Sequence, residues 1–190
     1  MHGVLRHYTL KPKDVDEVVR RIAEGGVPII KAIPGFASYG ILDAGGGKLV
    51  TYSVYESKMG THESTKRAAA WVNEHIASLL PTPPQVLEGA VRLREIKGKP
   101  EYSVIRRYQV DRATSAFVPL VNRLPGCATY TILDAGKGVL VTISGFATRA
   151  GADDSTKKAA AWVKENLQTL APNPPEITAG KVRVIARATD

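Results

Sequence analysis

The sequence predicts an α+β protein made of two similar units, each with the element order β-α-β-β-α-β. Two observations lead to this prediction. Residues 34–93 align without a gap on residues 125–184, and 31 of these 60 positions are identical. Within each copy, short alternating segments and longer segments with helical periodicity follow in the same order. We therefore predict a tandem repeat, with a first copy at residues 1–96, a linker at 97–101 and a second copy at 102–190.

The first strand of each copy is predicted from alternation at residues 4–10 and at residues 104–110. Arg6 and Tyr8 match Arg106 and Tyr108 at an offset of 100, whereas the rest of the repeat has an offset of 91. Nine residues are therefore missing from the second copy. We place the loss in its first helix.

The first helix of the first copy is predicted from apolar residues at three- and four-residue spacing. These residues are Val15, Val18, Val19 and Ile22. Asp14 is the predicted N-cap. Gly25-Gly26 and Pro28 predict a break or kink before a second helical turn at residues 27–33. The second copy keeps mainly this later part, at residues 116–124.

The central hairpin follows Pro34-Gly35, a dipeptide typical of turns. Strands are predicted at residues 36–43 and 49–55, and the glycines between them supply the positive φ angles of a tight turn. Asp43 and its mate Asp134 precede these glycines and are predicted to form the turn, since aspartate side chains bond the backbone two residues on.

The second half of each copy contains the longer helix and the last strand. The helix is predicted at about residues 61–80 and 152–171, and the strand at 86–95 and 177–187. The resulting order is that of a ferredoxin-like unit. The strands are apolar on both faces, but both helices of such a unit cover one face only. We therefore expect the two antiparallel sheets to pack face to face within the chain.

Composition narrows the classes of partner. The net charge is +8, but the Lys and Arg residues are scattered without a run of five or six, so we expect no nucleic-acid partner. No segment has the ~18 uncharged apolar residues of a membrane helix, and we expect no membrane partner. The N-terminal residues lack the apolar segment of a secretory signal. Cys127 is the one cysteine, so no intrachain disulfide can form. A cytoplasmic location fits both observations.

Three segments carry a resemblance to a known family: Pro34-Gly35-Phe36 with Tyr39, the strand LVTYSVYES at 49–57, and STKRAAAWV at 64–72. With these, the chain resembles the dimeric α+β barrel superfamily and, within it, the antibiotic-biosynthesis-monooxygenase-like group. The resemblance implies that two ferredoxin-like units close into one barrel. It also implies that small hydrophobic or aromatic ligands lodge between sheet and helices. Members include cofactor-independent oxygenases of aromatic polyketides and haem-degrading oxygenases.

Haem degradation is disfavoured by departures from the pattern of the haem-degrading members. The first strand has no Asn, Trp71 and His75 are only four residues apart, and Asn166 replaces His75 in the second copy. The four histidines and the cysteine also lack the spacing of metal ligands. We therefore predict neither a cofactor nor a metal.

The first strand supplies one pair of candidate ligand-binding residues in each copy. Alternation places Arg6 and Tyr8 on one face, and Arg106 and Tyr108 repeat the pair. A cation beside a phenol would orient an anionic or quinone-like oxygen. The same residues could instead form a structural polar cluster.

The central hairpin and the second helix supply the remaining candidates. Tyr39 and Tyr130 offer a hydroxyl to a ligand, although both are also ordinary strand residues. Trp71 and Trp162 would wall the site or simply pack in the core. His75 lies on the same helix face as Trp71 and is the candidate base, with a surface histidine as the alternative.

The functional prediction is a small-molecule-binding protein of the antibiotic-biosynthesis-monooxygenase-like group, acting as a cofactor-independent monooxygenase on an aromatic or quinone-like compound. The alternative is a non-enzymatic ligand-binding or structural module with a stress or regulatory role. That alternative predicts no cavity above roughly 300 Å³. We expect an intramolecular pseudo-dimer and leave further homodimerisation open.

Overall fold

The computed structural model describes residues 1–111, 124 and 126–189. The chain divides into two compact units. The first unit comprises Met1–Glu88 with Val182–Asp190, and the second comprises Gly89–Lys181. Both combine helices with antiparallel strands, so the predicted α+β class is confirmed. The repeat boundaries at residues 96 and 102 concern the sequence and stay a prediction.

The first unit is built on β1 (His2–Thr9), β2 (Phe36–Gly45) and β3 (Lys48–Tyr55). β3 lies between the other two strands and pairs antiparallel with both. Parts of two longer strands, β4 (Gln85–Ile96) and β8 (Glu176–Arg187), also belong to this unit. Each strand begins or ends within two residues of its predicted position, because the alternation of buried residues fixes these segments well.

The first helical stretch of the first unit is continuous. It runs through α1 (Val15–Arg21), a π-helical turn (Ile22–Gly26) and α2 (Val27–Lys31). The predicted break at the glycines is thus a widened turn within the helix. Asp14 stands at the N-cap position as predicted, but its side chain makes no capping hydrogen bond.

The longer helix of the first unit, α3 (Lys58–His75), begins three residues before the predicted start and ends five before the predicted end. Ser57 sets the start, because its Oγ accepts a hydrogen bond from the backbone N–H of Gly60 at 3.2 Å. A short 3₁₀ turn, Ala77–Leu79, follows the helix. The prediction missed the cap and counted this turn as α-helix.

The second unit is built on β5 (Tyr102–Gln109), β6 (Cys127–Gly136), β7 (Val139–Phe146) and α4 (Arg149–Asn166). β7 pairs antiparallel with β5 and β6, while β4 pairs with β6 and β8 with β5 inside this unit. The helix predicted at residues 116–124 lies, apart from Leu124, outside the described residues.

Both hairpin turns follow the prediction. The backbone N–H of Gly45 donates to Asp43 Oδ1 at 2.9 Å, and that of Gly136 donates to Asp134 Oδ1 at 3.0 Å. Gly47 has a φ of 82°, and a Cβ there would collide with the carbonyl oxygen of Leu10. The aspartates are therefore turn residues, as expected.

The core of the first unit lies between its helices and one face of its sheet. Tyr8, Tyr39 and Ile41 contribute from the strands, and Val18 and Trp71 from the helices. The alternate strand residues are buried as well, among them Leu5, Leu42 and Val50. This fits the prediction that the strands are apolar on both faces. Face-to-face packing of two sheets stays a prediction. In the described part of the chain, no helix is long and apolar enough to cross a membrane.

The π-helical turn gives a matched pair of substitutions. A Cβ at Gly25 would lie 3.0–3.3 Å from three atoms of the Trp71 indole, whereas a Cβ at Gly26 would meet Ile22 and Trp71 at an ordinary 3.5–3.6 Å. We expect Gly26→Ala to be neutral or to raise the free energy of unfolding by about 0.5–1 kcal/mol, through lower chain entropy. We expect Gly25→Ala to be less stable than Gly26→Ala by about 1–3 kcal/mol. Urea denaturation followed by circular dichroism measures both, and equal stabilities would refute the close contact with Trp71.

Candidate functional site

A buried arginine lies at the centre of the first unit. Arg6, on β1, is only 3% exposed. Its Nη1 donates to Ser53 Oγ at 3.5 Å, and its Nη2 donates to Ser64 Oγ at 3.0 Å and to Thr65 Oγ1 at 3.3 Å. All three acceptors are neutral hydroxyls from β3 and α3. Within the described residues, no carboxylate forms an ion pair with Arg6. Burying a cation without a counter-charge costs free energy of folding. The hydroxyls, and the groups to which they donate in turn, therefore decide how well Arg6 is compensated.

Thr65 connects Arg6 to a carboxylate. Its Oγ1 accepts from Arg6 and donates to Glu88 Oε1 at 2.7 Å. His62 Nε2 lies 3.5 Å from the other oxygen of Glu88. Glu88 therefore compensates the positive charge of Arg6 indirectly, through the hydroxyl of Thr65.

Arg6 and Tyr8 border two cavities. The inner cavity has a volume of about 20 Å³, enough for one water molecule. Its lining includes Arg6, Tyr8, Tyr39, Thr51 and Trp71. The outer cavity has a volume of about 220 Å³ and shares Arg6, Tyr8, Ala68 and Val72 with the inner one. Both volumes fall below the roughly 300 Å³ that the non-enzymatic alternative sets as its limit.

The outer cavity reaches the surface of the first unit. Its lining includes Asn73, Pro83 and Val86, and all three are exposed. Ala68 and Ala69 on α3 form part of its wall, and their small side chains leave room beside the guanidinium of Arg6. A molecule in this cavity would lie against the helix and meet Arg6 and Tyr8 at the inner end.

Four of the predicted residues meet at the inner cavity: Arg6, Tyr8, Tyr39 and Trp71. His75 is not among the residues that line either cavity. Its ring stacks on Trp71 at a centroid distance of 4.9 Å and an angle of 8°. His75 Nδ1 lies 3.0 Å from the carbonyl oxygen of Trp71, which can only accept, so this contact favours the tautomer with the proton on Nδ1. A role for His75 as a base stays a prediction.

The two tyrosines beside Arg6 are phenols at neutral pH. Burial raises the pKa of Tyr8, and the Arg6 guanidinium opposes this effect only in part. Burial likewise raises the pKa of Tyr39. Both hydroxyls can therefore donate a hydrogen bond to a ligand oxygen, but neither is a base at neutral pH.

The second unit contains a matching cluster. Arg106 is 1% exposed and donates to Ser144 Oγ and Ser155 Oγ, both at 2.8 Å, and to Thr156 Oγ1 at 3.1 Å. Tyr108 and Tyr130 are buried in the same core, whereas Trp162 is half-buried at its edge. The structure thus brings together three of the four predicted residues of the second copy as a buried group.

The hydroxyl partners of the arginines were missed at the sequence level. A signal for them exists, because small polar residues repeat at strand and helix positions that face inward. The partners are Ser53, Ser64 and Thr65, repeated as Ser144, Ser155 and Thr156, and Thr51 and Thr142 repeat beside them. Glu88 carries no such signal, since its match in the second copy is Ala179. Within the described residues, no group of three His, Cys, Asp or Glu side chains could hold a metal ion.

The buried phenol of Tyr108 makes stability depend on alkaline pH. Burial raises the pKa of Tyr108 to about 12, while an unfolded tyrosine titrates near 10. The folded state binds this proton more tightly than the unfolded state. The contribution of Tyr108 to the free energy of unfolding is therefore fully present below pH 10 and is lost as the pH rises towards 12. We expect Tyr108→Phe to reduce this fall by an amount on the order of 1–3 kcal/mol, measured by chemical denaturation between pH 8 and 12. If the free energies of unfolding of the two proteins differ by the same amount at every pH, the substitution removes only a contact. That result would contradict the raised pKa of Tyr108.

No protein-family model matches the chain, and no curated protein matches it by sequence. Solved structures share its fold. A candidate monooxygenase from Fusobacterium nucleatum is 9% identical, with a TM-score of 0.75 over 98% of this chain and 94% of that chain. An anthrone oxidase-like protein is 14% identical, with a TM-score of 0.65 over 100% and 94%. A chlorite dismutase variant from Candidatus Nitrospira defluvii, crystallised with cyanide, is 12% identical, with a TM-score of 0.61 over 96% and 90%.

Identities this low establish a shared fold alone, so the chain has the α+β fold of these three structures. Membership of the dimeric α+β barrel superfamily and of its antibiotic-biosynthesis-monooxygenase-like group stays a prediction.

Proposed function

We propose that the chain is a small-molecule-binding protein whose first unit holds a ring compound with its carbonyl or phenol oxygen against Arg6. The observation that carries this proposal is the buried guanidinium at the border of both cavities. A buried guanidinium surrounded by hydroxyls is expensive to maintain for packing alone. It is well suited to fixing the oxygen of a ligand.

The charge around Arg6 favours a neutral ligand oxygen. Glu88 already balances the guanidinium through Thr65, so a carboxylate in the cavity would add a second negative charge near Glu88. A quinone carbonyl or a phenol adds none. Tyr8 remains protonated and can donate a second hydrogen bond to the same oxygen.

The outer cavity limits the size of the ligand. Its volume of about 220 Å³ is below the usual range for drug-sized molecules, which begins at roughly 300 Å³. The ring would lie along Ala68 and Val72 on α3, with its oxygen directed towards Arg6. This favours compounds of about one or two fused rings over larger polycyclic ones.

Cofactor-independent monooxygenation of this ligand is the reaction we propose. It is supported by the likeness of the fold to a candidate monooxygenase and to an anthrone oxidase-like protein. In such a reaction an activated CH₂ beside a carbonyl and one O₂ give a new C=O and one water. Two C–H bonds and the O–O bond break, and one C=O and two O–H bonds form. The first proton would pass to solvent at the open end of the outer cavity, and Arg6 would stabilise the enolate oxygen that this step leaves.

The second candidate function is a ligand-binding module without catalysis. The cavity volumes favour it, because both lie under the limit that this alternative predicts. The position of His75 outside the cavity linings also favours it, since the buried tyrosines cannot serve as the base. Binding without turnover would identify this function.

We also propose that the two units arose by tandem duplication. The matching clusters of Arg6 and Arg106, each with two serines and a threonine at aligned positions, support this origin. The intramolecular barrel of two ferredoxin-like units, further homodimerisation and the cytoplasmic location stay predictions of the sequence.

Binding at Arg6 can be tested with 1,4-naphthoquinone and the quenching of Trp71 fluorescence. The chain has two tryptophans, so Trp162→Phe leaves Trp71 as the reporter. We expect Arg6→Gln in this background to weaken binding roughly ten- to hundredfold, the usual effect of losing a hydrogen bond from a charged group.

Arg106→Gln, the matched control, should leave the affinity unchanged. Ala68→Leu, which narrows both cavities and keeps Arg6, should also weaken binding. Unchanged affinity in both Arg6→Gln and Ala68→Leu would exclude this site.

Oxygenation is tested by turnover of anthrone-type and smaller one- or two-ring hydroxylated substrates, with and without dioxygen. We expect one carbonyl product and one consumed O₂ per substrate in air, and no product under anaerobic conditions. The reaction should be slowed in Arg6→Gln because the developing oxyanion loses its donor. Saturable binding with no product in air would rule out the monooxygenase and support the binding module.

A further inference from the structure

The second unit differs from the first in how its buried arginine is compensated. Thr156 Oγ1 accepts from Arg106, as Thr65 accepts from Arg6, but it donates to the carbonyl oxygen of Ala152 at 3.3 Å. The position that matches Glu88 is Ala179, which has no carboxylate. In the described part of the second unit, every hydrogen-bond partner of Arg106 is a neutral hydroxyl.

Four buried polar atoms of this unit have no hydrogen-bond partner among the described residues: Ser103 Oγ, Arg106 Nε, Tyr130 Oη and Thr142 Oγ1. Ser103 is an odd-numbered residue of β5 and lies on the face opposite Arg106, so the other three atoms are considered together. Arg106 and Thr142 are direct partners in the antiparallel pairing of β5 with β7. Tyr130, on β6, is close enough for its phenol to influence the pKa of Arg106. The Thr142 hydroxyl lies near enough to lower the pKa of Tyr130 as a hydrogen-bonding neighbour, but the two oxygens do not meet the geometry of a hydrogen bond. The three atoms therefore belong to one neighbourhood.

All three atoms can act as donors at neutral pH. Arg106 Nε carries a hydrogen that it can only donate, and the two hydroxyls can turn their hydrogens in the same direction. Burial raises the pKa of Tyr130, so its phenol keeps its proton. Burial also lowers the pKa of Arg106, as expected for a cation with incomplete compensation. If the two hydroxyls turn towards each other, one hydroxyl hydrogen and Arg106 Nε–H are still left for an acceptor. These donors and the positive charge of Arg106 favour an anion over a neutral ligand.

We propose that the second unit binds a small singly charged anion at Arg106 Nε, Tyr130 Oη and Thr142 Oγ1. The anion has the electrostatic role that Glu88 has in the first unit, and it supplies an acceptor that the described residues around these donors do not provide. Its chemistry is that of a halide, nitrate or the carboxylate of a very small acid. This site is separate from the ligand site at Arg6, and neither proposal depends on the other.

The first experiment compares thermal unfolding of the full chain in bromide, nitrate, formate and gluconate at equal ionic strength. An anion that binds the folded state raises the melting temperature in a saturable way. We expect this rise for bromide, nitrate and formate and none for gluconate, which is too large. A rise with formate alone would identify a carboxylate ligand, and a rise with bromide and nitrate an inorganic one. Equal melting temperatures in all four salts would overturn the proposal.

Matched variants separate the site from general effects of salt. Thr142→Val removes one donor at nearly constant volume and should weaken the anion roughly tenfold. Ala179→Glu restores the missing carboxylate through Thr156 and should abolish the anion-dependent rise. Glu88→Ala, the reciprocal change, should create a second anion-dependent rise through Arg6. If Ala179→Glu keeps the same rise as the unaltered protein, the anion binds elsewhere and the proposal fails.

Crystals soaked in bromide give the decisive observation, since bromide scatters anomalously. We expect an anomalous peak within hydrogen-bond distance of Arg106 Nε and Thr142 Oγ1. An ordered water at that position in bromide-soaked crystals would show that a neutral molecule satisfies the donors, and it would overturn the proposal.

Discussion

Each unit of this protein accommodates a buried guanidinium that no described carboxylate contacts directly, and this constraint organises the elements around it. A guanidinium has five N–H donors in a fixed planar arrangement, so its acceptors must come from several directions. In the first unit they come from Ser53 on β3 and from Ser64 and Thr65 on α3. The arginine thereby fixes the position of the helix over the sheet. The cap at Ser57 begins α3 at the residue that places Ser64 and Thr65 two turns later, above Arg6.

The same constraint explains which polar residues the two units share and where they differ. The serines and the threonine recur because the donors need them in both units. The acceptor of the threonine hydroxyl differs between the units, since Thr65 donates to Glu88 in the first unit and Thr156 donates to a backbone carbonyl in the second. Charge compensation is therefore the part in which these two arginine clusters differ. A difference at one strand position, Glu88 against Ala179, decides whether a carboxylate lies at the outer end of each arginine cluster.

The sequence predicts much of the fold because alternation and turn chemistry act locally. The strands and the Asp43 turn depend on residues a few positions apart, and the prediction places them well. The widened helical turn depends on the contact of Gly25 with Trp71, which is distant in sequence, so only an irregularity could be foreseen. Alternation placed Arg6 and Tyr8 on one face. It could not identify Glu88 as the distant partner, nor show that His75 stacks on Trp71.

The π-helical turn at Ile22–Gly26 has a consequence for how this helix tolerates changes in length. A π turn contains about one residue more than an α turn, and each residue of an α-helix rotates the next by about 100°. Deleting one residue here would restore regular hydrogen bonding and leave α2 in nearly the same angular phase, because the wider turn already absorbs the extra residue. Ile29 and Ile30 would keep lining the inner cavity. The same deletion within α1, where the turns are regular, would rotate α2 by that angle and remove one wall of the cavity, so the π-helical turn is the place in this helix where the loss of one residue changes the cavity least.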